Sequence, residues 1–288
     1  MRREDFSFVS EDGLEIAYYR WRAPGRAAGI VQIAHGMGEH SLRYAHVAEF
    51  LNQAGFHVFA NDHRGHGRSV SGKESLGDFG AGGWNGLVAD MLTLTRRART
   101  REGGLPVVLL GHSMGSFAAQ QYVIDNSALI AGLVLSGSAA VDKLAIDPSE
   151  AADLTVFNRA FEPARTPHDW LSRDPAAVDA YEADPLCGFG INQRSMATMV
   201  ASASRLVDPA ELARIRKNIP IYIFAGDKDP VNHDLEWLKP LAERYRVAGV
   251  VNVSEKYYPG GRHEMLNETN RDEVLRDLVS WLQKAVVA

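Results

Sequence analysis

The sequence predicts an α/β fold with a mostly parallel central sheet flanked by helices. Short apolar runs, typical of strands buried on both faces, alternate with segments of helical periodicity over most of the 288 residues. The polar and glycine-rich clusters follow predicted strands, and functional residues of parallel sheets collect at these carboxyl ends. The stretch 139–216 breaks the alternation and holds six of the 12 prolines. We therefore expect a core formed by 1–138 and 217–288, with an inserted helical cap over 139–216.

The N-terminal elements can be assigned in chain order. Alternating residues on both sides of a Glu-Asp-Gly turn predict a β-hairpin over 6–22. Continuous apolar runs at 29–35 and 56–61 predict strands that are buried on both faces. Between these strands, 41–53 has apolar residues at helical spacing, Ser41 as the expected N-cap and a glycine as the stop signal.

The later elements continue the same rhythm on both sides of the predicted cap. Apolar residues on one face predict a helix over 84–99, whose basic C-terminal end suits the helix dipole. A strand and a helix then flank the glycines near residue 113, and 129–135 is another apolar strand. After the cap we expect a strand over 219–225, a helix over 234–245, a strand over 250–257 and a closing helix over about 271–287.

The segment with the most specific chemistry is Gly111-His112-Ser113-Met114-Gly115, which fits the pattern G-x-S-x-G between a strand and a helix. A serine that attacks a carbonyl carbon must stand at the tip of a sharp strand-to-helix turn with strained backbone angles. The turn brings the helix so close to the strand that Cβ atoms two residues before and two after the serine would collide. Glycines at these two positions remove the Cβ atoms. We therefore predict Ser113 as a nucleophile above a helix N-terminus, whose dipole stabilises negative charge.

Serine is a weak nucleophile and needs a base, which must be chosen among 10 histidines. His263 follows the last predicted strand in a glycine-containing loop, and it comes after the serine and the acid in the order Ser, Asp, His. For the acid, Asp227 and Asp229 stand in one turn after a strand. We favour Asp229, because it lies deeper in the turn and Pro230 fixes the backbone after it, whereas Asp227 is expected to brace the turn. The residues alone leave both open.

An oxyanion hole needs two N–H donors about 3 Å from the developing charge. One donor should be Met114, the residue after the nucleophile. The second should come from the loop after the third strand, where His35-Gly36 precedes Met37. Only main-chain groups act in this role, so an unreactive methionine side chain is no objection.

Other classes of chemistry are disfavoured. A net charge of −5, a pI near 6.1 and the lack of a basic patch argue against nucleic acid as a partner. Asp62, His63 and His66 suggest a metal site, but the segment is interrupted by glycine and lacks a second ligand pair, so we expect a structural turn and no metal. The glycine-rich stretch 80–86 matches no phosphate or dinucleotide loop. The single cysteine, Cys187, excludes an internal disulfide and is expected to pack in the cap.

The sequence also bears on location. The N-terminus has no apolar stretch of the kind found in signal peptides, and no run of about 18 apolar residues is present. Together with the single cysteine, these features favour a cytoplasmic protein. Transient contact with a membrane or micelle through the cap stays open, and the oligomeric state is not predicted.

Five segments together resemble the α/β-hydrolases, and within them the monoacylglycerol lipase and lysophospholipase branch, also called serine aminopeptidase S33-like. They are HGMGEH at 35–40, DHRGHGRS at 62–69, GHSMG at 111–115, GDKD at 226–229 and HE at 263–264. They span nearly the whole chain outside the predicted cap. The resemblance implies that the Asp of Gly-x-x-Asp, here Asp229, is the acid. It further implies a helical cap over an acyl pocket and no cofactor.

The leading interpretation is a serine carboxylic-ester hydrolase that cleaves lipid-like monoesters, such as a monoacylglycerol or a lysophospholipid, through an acyl-enzyme. The alternatives are an esterase, amidase, peptidase or thioesterase for small substrates and, from another class, a non-catalytic small-molecule receptor. A serine rather than an aspartate at position 113 argues against a dehalogenase or epoxide hydrolase.

Substrate choice should lie in the cap. We expect two or three of its apolar residues to line an acyl pocket, although their spacing equally suits a cap core: Phe157, Phe161, Trp170, Leu186, Phe189, Ile191 and Met196. Four basic cap residues would favour an anionic head group if they faced the pocket, but a solvated surface is the default: Arg165, His168, Arg173 and Arg194.

Overall fold

A sheet of eight strands organises the computed structural model, which describes residues 3–144 and 147–286. The strands are β1 (Arg3–Val9), β2 (Glu15–Trp21), β3 (Gly29–Ala34), β4 (Phe56–Asn61), β5 (Val107–His112), β6 (Gly132–Ser136), β7 (Pro220–Gly226) and β8 (Asn252–Tyr258). Their order across the sheet is β1-β2-β4-β3-β5-β6-β7-β8. The hairpin β1–β2 joins β4 antiparallel, and all pairs from β4 to β8 are parallel. The predicted mostly parallel sheet is confirmed.

The helices cover both faces of this sheet. They are α1 (Ala45–Gln53), α2 (Gly83–Arg101), α3 (Met114–Asn126), α4 (Pro175–Glu182), α5 (Gln193–Ser202), α6 (Pro209–Leu212), α7 (Lys239–Val247) and α8 (Arg271–Ala285). Successive residues of β5 point to opposite faces: Leu109 packs into the core under α2 and α3, and Leu110 into the core under α1 and α8. Strands buried on both faces explain the continuous apolar runs in the sequence.

The register of the parallel strands brings the predicted site segments to one edge. Ala34 at the end of β3 pairs with Gly111 of β5, and His112 pairs with Ser136 at the end of β6. Ser136 in turn pairs with Phe224 of β7. The loops that follow β3, β5 and β7 therefore leave the sheet close together, as expected at the carboxyl ends of parallel strands.

Two local predictions about helix starts were wrong. The helix expected over 234–245 begins only at Lys239, because His233, Asp234 and Leu235 all have positive φ angles, of 53°, 50° and 75°. Among the described residues, nothing hydrogen-bonds to the hydroxyl of Ser41, so Ser41 does not cap a helix. It opens a 3₁₀ turn instead, and its main-chain N–H donates to the Asp62 carboxylate at 2.9 Å.

Between β6 and β7 the described residues form helices and turns but no strand. Besides α4, α5 and α6, this stretch contains 3₁₀ segments at Val141–Lys143, Leu154–Phe161, Asp169–Leu171 and Ala203–Leu206. The starts of α4 and α6 follow from the sequence, because Asp174 and Asp208 cap these two helices and the first residue of each helix is a proline. Positions 145 and 146 of the predicted cap lie outside the described residues, as do 1, 2, 287 and 288 of the predicted core.

Within 3–144 and 147–286, none of the helices is at once long enough and apolar enough to cross a bilayer.

Candidate active site

Ser113 stands between β5 and α3 in a strained conformation. Its φ of 52° and ψ of −124° lie outside the regions that residues with a Cβ normally adopt. Such strain persists only where the surrounding structure enforces it. Here the chain must reverse from the end of β5 into α3, whose first residue is Met114, and this turn exposes the serine at the strand end.

The two flanking glycines have different tasks. A Cβ at Gly111 would lie 2.5 Å from the carbonyl oxygen of Gly115 and 2.7 Å from Cα of Ser116, so Gly111 lets α3 pass close over β5, as predicted. A Cβ at Gly115 would instead overlap the carbonyl oxygens of Ala34 and His35 at the end of β3. Gly115 therefore allows α3 to approach the neighbouring strand.

His263 lies against Asp229. Nδ1 of His263 is 2.9 Å and 3.0 Å from the two carboxylate oxygens of Asp229, and both side chains are buried. The Asp229 carboxylate also accepts hydrogen bonds from the Val231 main chain and the Asn232 side chain. With its remaining acceptor sites filled, this carboxylate is fixed in place.

Asp227 is placed elsewhere. Its carboxylate accepts a hydrogen bond from the main-chain N–H of Gly260 at 2.7 Å. Gly260 follows β8, so Asp227 braces the loop between β8 and His263, whereas the imidazole hydrogen-bonds to Asp229. The structure thus brings only one of the two candidate acids into contact with His263.

The ring of His263 is enclosed by two other rings. Trp170 lies 4.9 Å from it and His112 lies 4.8 Å from it, measured between ring centroids. Burial alone would lower the pKa of His263, but the charge of Asp229 and its hydrogen bond raise that pKa above the usual 6.5. Burial and the neighbouring His263 lower the pKa of His112 to about 4, so His112 is neutral near pH 7.

The predicted oxyanion donors lie in the same cavity as Ser113 and His263. Met114 is the first residue of α3, where a main-chain N–H has no acceptor within the helix. Met37 lies on the loop after β3, which passes so close that a Cβ at Gly36 would be 3.2 Å from Cβ of Ser113. The structure therefore brings Met37 and Met114 to the cavity that Ser113 also lines.

This cavity has a volume of about 380 Å³ and is walled mainly by apolar side chains. Three of the seven apolar cap residues named from the sequence line it: Phe157, Trp170 and Met196. Further apolar wall comes from Phe117 and Met199. The other predicted lining residues pack elsewhere, for example Phe161 against the Arg262 guanidinium at 4.2 Å.

None of the four basic cap residues is among the residues that line the described cavity. Three of them form ion pairs: Arg165 with Asp179, Arg173 with Glu268, and His168 with Glu182. Arg194 is exposed. The expected solvated surface fits Arg165 and Arg194, whereas His168 is buried and Arg173 is half-buried, each in an ion pair.

Part of the cavity wall is polar, and the sequence did not reveal this. Arg43 bridges the buried carboxylates of Glu39 and Glu264, both at 2.6 Å, and both acids line the cavity. Burial opposes their ionisation, yet the Arg43 charge holds the pKa of Glu39 at about 2 and lowers that of Glu264. Glu39 lies in the motif at 35–40 and Glu264 in the motif at 263–264, and both motifs contain predicted site residues. This position in the sequence was the signal by which the two acids could have been found.

Two clusters in the described chain have donor atoms close enough to suggest a metal ion. In the first, Glu39 and Glu264 join His112, but both carboxylates already form ion pairs with Arg43. The second combines His40, Asp184 and Cys187, where the carboxylate already pairs with the imidazole at 2.9 Å. Burial raises the pKa of the Cys187 thiol, so the thiolate that a metal needs is disfavoured.

The segment 62–69 is a hydrogen-bonded turn. The buried Asp62 carboxylate accepts from the main chain of Ser41 and of Arg68. Arg64 is fully buried and pairs with Asp90 at 2.9 Å. These contacts account for Asp62 and Arg64 as structural residues, as expected from the sequence.

Comparison with known proteins places this site in a family. The sequence profile of the family described as serine aminopeptidase, S33, matches residues 25–270. A monoacylglycerol lipase of Mycolicibacterium smegmatis is 33% identical over 286 residues, which cover 97% of each sequence. A monoglyceride lipase of Mus musculus is 27% identical and covers 97% of this chain and 90% of its own length.

A solved structure supports the same assignment. The crystal structure of a highly thermostable carboxyl esterase from Bacillus coagulans, in complex with glycerol, superposes with a TM-score of 0.87 at 32% identity and 99% coverage of both chains. The sheet order, the flanking helices and these matches together establish the α/β-hydrolase fold. The chain therefore belongs to the serine aminopeptidase S33 family, in its monoacylglycerol lipase-like branch, and is a serine ester hydrolase.

Proposed function

We propose that this protein hydrolyses lipid-like monoesters, a monoacylglycerol or a lysophospholipid, with Ser113, His263 and Asp229 as catalytic triad. The observation that carries the proposal is that one cavity joins Ser113 and His263 to a wall of apolar side chains. Its volume of about 380 Å³ lies within the range of small-molecule sites. The likeness to monoacylglycerol and monoglyceride lipases supports the same substrate class.

In the proposed mechanism the imidazole of His263 takes the hydroxyl proton of Ser113 as Oγ attacks the ester carbonyl carbon. The developing oxyanion accepts hydrogen bonds from the main-chain N–H groups of Met37 and Met114. When the tetrahedral intermediate collapses, His263 gives the proton to the leaving alcohol, and the acyl group stays on Ser113. His263 then deprotonates water, which attacks the acyl carbonyl and releases the acid.

Asp229 orients His263 throughout this cycle. Its hydrogen bond to Nδ1 leaves Nε2 free to face the serine, and its charge stabilises the imidazolium that forms in each half-reaction. Asp229 keeps its negative charge and does not take up the proton.

The helical stretch 139–216 serves in this proposal as the cap that closes the acyl side of the cavity. It contributes Phe157, Trp170 and Met196 to the wall. Trp170 also packs on His263, so the same residue would contact the substrate and the base. Transient contact of the cap with a membrane or micelle remains part of the proposal.

The test is hydrolysis of a matched panel of monoacylglycerols and lysophosphatidylcholines from short to long acyl chains, with Ser113→Ala as the blank. A fluorophosphonate probe, which modifies activated serines, should label the wild-type protein stoichiometrically and leave Ser113→Ala unlabelled. We expect cleavage of at least one lipid class with a clear optimum of chain length.

Cleavage of small activated esters alone would replace the lipid assignment with a small-ester one. An unlabelled, well-folded wild-type protein would contradict the triad itself. Asp229→Asn and Asp227→Asn then separate the two candidate acids, as argued in the Discussion.

A further inference from the structure

The main chain at Gly36 is held at both of its polar groups. Its carbonyl oxygen lies 2.8 Å from Nδ1 of His35, and its N–H donates to Oε1 of Glu39 at 2.5 Å. The peptide unit that carries this carbonyl also carries the N–H of Met37, and such a unit is planar, with its two polar groups pointing in opposite directions. Fixing the Gly36 carbonyl against the His35 ring therefore also fixes the direction of the Met37 N–H.

The hydrogen bonds of His35 select one form of its ring. Nε2 lies 2.9 Å from the main-chain nitrogen of His63, and an amide N–H can only donate. Nε2 must therefore be the unprotonated nitrogen, so the proton is on Nδ1, where it is donated to the Gly36 carbonyl. The ring is fully buried, which lowers the pKa of His35 and favours the neutral form.

The loop that presents the His63 N–H is itself rigid. The Asp62 carboxylate accepts hydrogen bonds from the Tyr19 hydroxyl and from the main chain of Ser41 and Arg68, at 2.9 Å in each case. The loop is thereby tied to β2 and to the turn that precedes α1. The mechanism uses no residue of the segment 62–69, yet this segment reaches the oxyanion loop through the ring of His35.

We propose that His35 is a positioning residue that aims the Met37 N–H at the oxyanion, with the turn built by Asp62 as its support. This inference rests on the proposed oxyanion hole. His35 contacts neither substrate nor Ser113 in this scheme and acts only through the Gly36–Met37 peptide. Because the His35 ring is held at both nitrogens, the Met37 N–H is already oriented before the reaction, and the site does not have to reorganise when the oxyanion forms.

Two substitutions at one position separate the two ring nitrogens. In His35→Asn, the side-chain amide lies near the position of Nδ1 and still donates to the Gly36 carbonyl. In His35→Gln, the amide extends toward the position of Nε2 and loses that contact. We expect kcat of His35→Gln to fall by about 10²-fold, as for the loss of one oxyanion donor. The KM should stay within about threefold, because the contact acts in the transition state.

His66→Gln is the matched control. His66 is equally buried, and its ring centroid lies 5.3 Å from that of His35. Among the residues that the structure describes, its ring hydrogen-bonds only to the carbonyl of Arg64, within its own turn. We expect His66→Gln and His35→Asn to keep kcat within about fivefold of wild type, since neither loses the contact to Gly36.

A second measurement distinguishes a changed direction of the Met37 N–H from a general loosening of the site. An alkyl boronic acid forms a tetrahedral adduct with an activated serine and places an oxygen in the oxyanion hole. Its affinity should weaken in His35→Gln in proportion to kcat/KM, whereas an uncleavable ether analogue of the substrate should bind all variants alike. Equal weakening of both ligands would indicate a structural effect and overturn the proposal.

The tautomer can be measured in the wild-type protein, independently of any variant that folds poorly. In ¹⁵N-histidine NMR spectra, His35 should appear neutral with its proton on Nδ1; a proton on Nε2 would overturn the proposal. A wild-type protein that hydrolyses esters while His35→Gln keeps full kcat also overturns it. A wild-type protein that neither hydrolyses esters nor binds the boronic acid overturns the proposed function, and this inference with it.

Discussion

At His263 the proposed general base is held in place by several contacts. Asp229 holds Nδ1, the rings of Trp170 and His112 cover the imidazole faces, and the main-chain N–H of His263 points to the Trp170 carbonyl at 3.4 Å. The next N–H, that of Glu264, donates to the Leu171 carbonyl at 2.7 Å. The loop that carries the base is therefore joined to the segment at 170–171, between β6 and β7.

The choice between the two acids leads to the first prediction. Asp229→Asn should lower kcat by about 10³–10⁴-fold, because the amide no longer stabilises the imidazolium and permits the wrong ring tautomer. Asp227→Asn should stay within about tenfold, since that side chain reaches the imidazole only through the loop at Gly260. The measurement is kcat for both variants on the best substrate; the reverse order would assign the acid to Asp227.

The same variants test the pKa of the base. His263 accepts a proton only when neutral, so kcat/KM must fall as the pH drops through its pKa. Asp229 raises that pKa above 6.5 against the effect of burial, so the acid limb of the wild-type profile should have its midpoint above pH 6.5. In Asp229→Asn the midpoint should move to lower pH. An unchanged midpoint would mean that another group controls the limb.

At the scale of elements, the contact between β3 and α3 joins the two halves of the site. Gly115 lets α3 reach the carbonyls that end β3, directly before the loop that carries Met37. A side chain there would push against backbone, which cannot move aside as a flexible side chain does. The spacing of α3 from β3 therefore determines where the Met37 loop lies relative to Ser113.

Gly115→Ala tests this contact. The added methyl should destabilise the protein by more than the usual overpacking range of about 1–3 kcal/mol, or prevent folding, and any folded fraction should have reduced kcat. Gly103→Ala is the control: Gly103 has a φ of 64° and open space around its Cβ position. It should cost only about 1–2 kcal/mol of backbone strain and leave kcat unchanged. The measurement is the midpoint of urea-induced unfolding for each variant. Equal midpoints for Gly115→Ala and Gly103→Ala would show that the packing at Gly115 is loose.

How far the sequence predicts such elements depends on how local the cause is. The buried strands and the elbow at Ser113 were predictable from local sequence. A continuous apolar run indicates a strand that is buried on both faces, and the paired glycines indicate a close approach of strand and helix. The start of α7 was not, because positive φ angles at residues such as Asp234 carry no glycine signal. The pocket wall was predictable only as a class, since Phe157 lines the cavity while Phe161 packs on Arg262.

At the scale of the whole molecule, four histidines around the proposed site are buried, which favours their neutral form: His35, His63, His66 and His112. Burial is the largest cause in each case, and it lowers their pKa values, to about 3 for His66 and about 4 for His112. They surround the predicted oxyanion loop and the base, where residues of the motifs at 35–40, 62–69 and 111–115 meet. The motif spacing predicted the site, but burial of its histidines follows only from the assembled sheet.

These histidines should make the protein sensitive to mild acid. In the unfolded chain they take up protons as the pH falls through about 6.5, whereas in the folded protein they stay neutral, so the unfolded state binds more protons and stability falls. A histidine whose folded pKa lies as low as that of His66 or His112 contributes a loss of about 2 kcal/mol between pH 7 and pH 5, against a total stability of about 5–15 kcal/mol. His263 opposes this trend, because its raised pKa stabilises the folded state as the pH falls.

We therefore expect the free energy of unfolding to drop by several kcal/mol between pH 7 and pH 5 in urea titrations. Glu39, with a pKa near 2, stays ionised in the folded protein throughout this range and adds little to the change above pH 5. His66→Gln should reduce the drop by about one histidine's share. If His66→Gln gave the same pH dependence as wild type, His66 would already be protonated in the folded protein, and the neutral buried cluster around His35 would be wrong.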